Sequence, residues 1–178
     1  MKPSGNRIHR LPALLAALML AGPATAFDLD SDTPIKVSAD SARLDDTEGT
    51  AIYTGDVELV QGATQLNAER VVLYRSPEGL SRIEASGEPA RYRQPAREGE
   101  AMTDARARII TWSAAENRLT FERQAVIEQG NNVFRGDVIQ YDTVRRVVTA
   151  EGGTPSEESS GRVEMVIQPR GSSNPTDE

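Results

Sequence analysis

Between Val37 and Tyr141 the sequence repeats one unit four times: apolar, any, small, any, any, apolar, any, apolar. It reads Val37-Ala39-Ala42-Leu44, Leu66-Ala68-Val71-Leu73, Ala105-Ala107-Ile110-Trp112 and Phe134-Gly136-Ile139-Tyr141, the small residue recurring after 29, 39 and 29 positions. On either side of the small residue apolar positions follow at period two, the spacing of a strand with one buried face. Just after it the parity shifts by one, and a one-residue shift turns every following side chain to the opposite face. Each unit therefore requires a bulge or corner, where Ala or Gly leaves room for close backbone approach.

The rest of the chain carries the same period. Ile35/Val37/Ala39, Val57/Leu59 and Leu119/Phe121 alternate with polar residues, and Ala125/Ile127 and Val163/Met165/Ile167 do so less cleanly because Val126 and Val166 are apolar too. Turn chemistry falls at 45–49, 76–79, 113–117, 130–132 and 142–146, and residues 94–100 form a polar loop that lengthens the middle interval. A second periodicity supports duplication: Gln61-Gly62 and Gln129-Gly130 lie 68 apart, and the same offset pairs Leu59 with Ile127, Leu66 with Phe134 and Leu73 with Tyr141. The chain reads as all-β, an elongated antiparallel β-jelly-roll or solenoid of stacked hairpins. Such a roll exposes its first and last strands. These are expected at 35–39, presenting Ile35, Lys36 and Val37, and at 162–168, presenting Val163, Met165 and Ile167. Unlike edges that meet head to tail build an open filament of copies.

Residues 1–26 read as a signal peptide: Lys2, Arg7 and Arg10, then an apolar run over 11–22, then Ala24-Thr25-Ala26. No lipobox cysteine follows, so a periplasmic protein is expected, with an acidic extension at 27–33 and a disordered tail at 170–178. The whole chain carries −7; the leader holds three basic and no acidic residues, so the mature chain carries −10. That charge, without a basic run, excludes nucleic acid as a natural partner. Cys is absent and His9, the only histidine, lies in the leader. Thiol chemistry, imidazole-based triads and histidine-ligated zinc are excluded from the mature chain.

The remaining motifs are weak. Asp28-Leu29-Asp30-Ser31-Asp32 begins like a calcium loop but has Thr33 and Ala39 where that loop needs Gly and Glu. The carboxylate pairs Asp45/Asp46 and Glu157/Glu158 fall in turns or loops, a poor setting for a glycan hydrolase. No metal or cofactor site is expected. The inward set includes Val57, Leu59, Tyr92, Ile110, Trp112, Phe121, Ile127, Phe134 and Tyr141. Two readings stand for it: the dry core of a structural or adhesive β-repeat, or the lining of a roll open along one side, which suits aliphatic chains.

Four stretches carry a resemblance: Thr54-Gly55-Asp56-Val57-Glu58-Leu59-Val60-Gln61-Gly62, Leu66-Asn67-Ala68-Glu69-Arg70-Val71, Gly87-Glu88-Pro89-Ala90-Arg91-Tyr92 and Phe134-Arg135-Gly136-Asp137. Together they resemble the OstA-like domain family of lipopolysaccharide export, over residues 34–169. The resemblance implies a non-enzymatic, twisted β-jelly-roll whose open apolar groove carries lipid A acyl chains. It also implies head-to-tail stacking with an LptC-like inner-membrane protein and an LptD-like outer-membrane protein. By motif, the lipid-facing positions fall on Ile35, Tyr92, Ile110 and Trp112, and the rest of the inward set extends that lining.

Overall fold

The computed structural model describes residue 27 and residues 32–96, 101–145, 147–155 and 161–167. The leader and the terminal tail lie outside them. Ten strands run in chain order: β1 (Ile35–Ser38), β2 (Ser41–Asp45), β3 (Thr50–Gln61), β4 (Thr64–Ser76), β5 (Gly79–Gln94), β6 (Thr103–Ser113), β7 (Arg118–Gln129), β8 (Asn132–Asp142), β9 (Val147–Glu151) and β10 (Glu164–Val166). All belong to one antiparallel sheet in the order β1-β3-β4-β5-β6-β7-β8-β10, with β2 also on β3 and β9 also on β8. The five sequence-read turns are found, and a sixth at Gly62-Ala63 mirrors that at Gly130-Asn131. Both glycines hold the left-handed conformation, at φ 60° and 59°.

Every long strand bends in the middle, which folds the sheet into two facing layers. The first holds β2, β9 and the parts of β3–β8 near Ala51, Leu73, Ile83, Trp112, Leu119 and Tyr141. The second holds β1, β10 and the parts near Leu59, Leu66, Tyr92, Ala105, Ile127 and Phe134. The corners lie where the repeat requires them. Pairing shifts at Asn67/Arg70 after Ala68, at Arg106/Ile109 and at Glu122/Ala125 opposite Gly136, and the first edge breaks at Ala39-Asp40.

The extra residues sit on β3, β5 and β7, at Gly55-Asp56, Gly87-Glu88-Pro89 and Arg123-Gln124. Gly55, Asp56, Arg123 and Gln124 all have positive φ. The corners are crowded: a Cβ on Gly87 would lie 3.1 Å from the Ala90 nitrogen, and one on Gly136 2.9 Å from the Glu151 carbonyl oxygen.

Ile110 and Trp112 are 1% and 5% exposed, and Phe27 packs edge-on against Trp112. Two expectations are corrected. The final strand spans three residues, not seven: β8 offers β10 only Val133, Phe134 and Arg135, so Val163 and Ile167 flank the strand, while Gln168 lies outside the described residues. Gln94 ends β5 instead of opening a loop, since Thr103 pairs with it.

Candidate functional site

Bending the strands aligns their apolar positions into rows that cross the sheet at right angles to the chain, because directly opposed residues share a face. In the second layer one row runs Val37, Leu59, Leu66, Tyr92, Ala105, Ile127, Phe134, Met165, each paired with the next. In the first layer Leu44, Ala51, Leu73, Ile83, Trp112, Leu119, Tyr141 and Val148 form another. A third follows Ala42, Tyr53, Val71, Ala85, Ile110, Phe121, Ile139, Ala150. Each crosses eight strand positions, about 34 Å at the usual strand spacing. Nearer the corners small residues oppose one another, Ala90 with Ala107 and Ala125 with Gly136, while Val57 opposes Ala68.

The rows face one another across a shared interior. Tyr92 of the second layer meets Phe121 of the first edge-on, with centroids 6.2 Å apart. Through the middle strands the rows are buried, and Leu59, Leu66, Ile83, Leu119 and Ile139 are at most 1% exposed. Exposure rises at one end of two rows: Leu44 at the first edge is 62% exposed, and Met165 at the last, paired with inward Phe134, is 49% exposed, while Val37, Val148 and Ala150 are half-buried. Between the layers at the first edge is a cavity of about 420 Å³ lined by Ile35, Val37, Leu44, Tyr53, Leu73 and Leu80. A polar recess of about 650 Å³ lies by the β7–β8 corner, lined by Gln124, Arg135, Asp137, Arg162 and Glu164. It shares only Ala125 and Gly136 with the interior and has no apolar row.

All ten expected lining residues, Ile35, Val57, Leu59, Tyr92, Ile110, Trp112, Phe121, Ile127, Phe134 and Tyr141, belong to or pack against one interior cluster. Of the expected edge residues, Ile35, Lys36 and Val37 lie on β1 and Met165 on β10. Two contributors escaped the sequence reading. Phe27, in the supposed acidic extension, is 2% exposed and sits between Tyr92 and Trp112, edge-on to both, at centroid distances of 6.1 and 5.8 Å. Gln94 faces the interior beside Tyr92, whose hydroxyl donates to the Gln94 Oε1 at 3.2 Å. Neither carries an apolar-period signal.

The outer face is charged and locally balanced. Arg93–Asp104, Arg106–Glu128 and Arg135–Glu164 join neighbouring strands at 3.1–3.2 Å. These exposed pairs add little stability but leave the outside unsuited to lipid. The carboxylates once considered for hydrolysis have structural partners. The Glu48 backbone N–H donates to Asp45 at 3.1 Å and, with Arg43, holds that carboxyl below the usual carboxylate range. Asp46 pairs with Arg75 at 2.7 Å. Glu157 and Glu158 lie outside the described residues. Among the described residues no group of three or more acidic or histidine side chains is placed to hold a metal ion.

Fold and lining define a bent-sheet β-roll with apolar rows running between two unlike edges. Residues 36–147 match the family model described as "LptA/(LptD N-terminal domain) LPS transport protein". The chain belongs to that family of lipopolysaccharide transport proteins. It is 37% identical to the lipopolysaccharide export system protein LptH of Pseudomonas aeruginosa, over 92% of this chain and 96% of that one. It is 28% identical to LptA of Haemophilus influenzae, over 95% of each. With LptA of Escherichia coli K12 it shares 28% identity over 79% of this chain and 77% of the other. The crystal structure of LptH, the LptA-homologous periplasmic component of the lipopolysaccharide transport device of P. aeruginosa, superposes with a TM-score of 0.69. That match is 39% identical and covers 77% of this chain and 96% of LptH.

Proposed function

We propose that this chain is a periplasmic, non-enzymatic carrier of lipopolysaccharide. It stacks head to tail with copies of itself, an LptC-like inner-membrane protein and an LptD-like outer-membrane protein. Acyl chains lie against the apolar rows. The carrying observation is the continuity of these rows: they cross from edge to edge, buried within, with Leu44 bare at the first edge and Met165 bare at the last, so a second roll placed against either edge extends them. An exposed apolar terminus at each end is the surface a partner removes from water.

The energetics suit transfer. Carrier and cargo are both anionic, so charge opposes binding and chain burial must supply it, at about 0.8 kcal/mol per buried CH₂. Phe27 supports the same reading, because a side chain outside the sheet already occupies the interior between Tyr92 and Trp112. The burial of Ile110 and Trp112 favours a second reading, a β-repeat with a permanently dry core.

Native mass spectrometry of the mature chain with purified lipopolysaccharide separates them. The carrier gives a lipid adduct that weakens when Leu44 or Met165 is replaced by Asp at the mouths. A chain that takes up no lipid at any concentration below aggregation is a structural repeat.

A further inference from the structure

One register step from the apolar row of the second layer runs a row of another kind. Gln61 is opposite Thr64, and Gln94 is opposite Thr103, which is opposite Gln129, itself opposite Asn132. Each stands two residues from a member of the apolar row, so it shares that face: Gln61 with Leu59, Thr64 with Leu66, Gln94 with Tyr92, Thr103 with Ala105, Gln129 with Ile127, Asn132 with Phe134. All six are amides or hydroxyls and none is ionised. On a protein that is one-quarter charged, these six neutral side chains, a pair and a run of four, are a marked departure.

These positions begin or end their strands, so the row lies along the rim of the interior, away from the corners. It is partly satisfied from within. The Gln61 Nε2 donates to the Thr33 carbonyl at 3.1 Å, and the Gln129 Nε2 to the Thr103 Oγ1 at 3.4 Å. The Gln94 Nε2 is buried with no hydrogen-bond partner. Beside it is a cavity of about 20 Å³ walled by Tyr92, Phe121, Ile127, Phe134, Tyr141 and Val148. That volume accommodates one water-sized group. A buried amide left unpaired is costly, so the site favours an occupant that brings a partner for it.

We propose that this row is a subsite for the hydroxyl of a hydroxylated acyl chain, with Gln94 at its centre; the inference rests on the carrier reading above. Three features select a hydroxyl. It is neutral, as the row is: none of the six side chains offers a carboxylate or phosphate a cation. It has the size of the cavity. It accepts from the free Gln94 Nε2 and still has a proton to donate to a neighbouring oxygen of the row, whereas a carbonyl can only accept. The rim position sets direction: a hydroxyl near the polar end of a chain stays at the rim while the methyl end lies along the apolar rows.

The test titrates the mature chain calorimetrically with two neutral probes of equal length, methyl 3-hydroxydecanoate and methyl decanoate. The hydroxylated ester should bind about threefold to tenfold more tightly, the worth of one net hydrogen bond. Gln94→Leu should abolish or reverse that preference while retaining binding of the plain ester, and Gln129→Leu should reduce it. Equal binding of both esters by the native chain, or an unchanged preference in folded Gln94→Leu, would overturn the subsite and leave the carrier reading standing. If neither ester binds, the apolar groove falls and this inference falls with it.

Discussion

Phe27→Ala tests whether the interior holds a removable guest. The ring is 2% exposed and edge-on to Tyr92 and Trp112, yet the residue belongs to no strand. Truncating a packed Phe costs about 3–5 kcal/mol, aromatic pairs included. Ordering the backbone and side chain of such a guest consumes about 2 kcal/mol of that. The net hold is then about 2 kcal/mol, or a factor of about 30 in occupancy at thermal energy. A lipid that must displace the ring has its affinity reduced by the same factor, so Phe27→Ala should tighten lipopolysaccharide binding about 30-fold.

Trp112, the only tryptophan, reports on this directly. Already buried, it should emit in the blue in the free protein, move to the red in Phe27→Ala, and return to the blue as lipid fills the space. This differs from the simple blue shift that an open groove would give. A variant that loses its sheet signal in circular dichroism, or that folds and binds lipid no better than the native chain, would show the ring to be a fixed wedge of the core.

Ile110→Asp places a carboxylate at a 1% exposed position on the third row, and should destabilise the fold by on the order of 4 kcal/mol or more in urea denaturation. Met165→Pro disturbs only the exposed three-residue strand β10. It should change stability by under about 1 kcal/mol while reducing concentration-dependent oligomers in sedimentation velocity. Gly55→Ala puts a Cβ at φ 84° and into the Asp40 side chain, beside the 3.0 Å hydrogen bond from the Asp40 N–H to the Gly55 carbonyl. It should cost about 1–3 kcal/mol, read as a lowered thermal midpoint.

The strands and turns were legible because their signals are local. Period two marks the buried face, and Gly130 marks a turn that needs positive φ; the matching turn at Gly62 went unread. The corners of β4, β6 and β8 were legible too, since a parity shift after Ala68, Ala107 or Gly136 has no other reading within a strand. Their partners on β3, β5 and β7 were not, because the extra residues at 55–56, 87–89 and 123–124 share no composition. The ten residues were found as inward positions, but not that Ile110 and Trp112 would be almost fully buried. That depends on contacts from distant parts of the chain, Phe27 on Trp112 among them, which no spacing encodes. Phe27 was hidden among acidic neighbours, and Gln94 was assigned to the polar run that follows it. Both owe their places to residues far away in the chain.

The two outer edges share a peculiarity with consequences for assembly. Neither is one continuous strand: β1 and β2 are separated by Ala39-Asp40, and β9 and β10 by residues 152–163. Each terminus offers two short ledges on different layers, four and five residues at one end, five and three at the other. A loose extended segment, the usual hazard at a bare sheet edge, can engage only one ledge at a time. A neighbour whose own edge turns the same corner engages both. In the proposed stacking the break would act as a shape filter that admits whole folded rolls and turns away stray strands. With so few backbone bonds per ledge, a joint made this way could also be unmade, leaving the length of such a stack responsive to how many rolls are present.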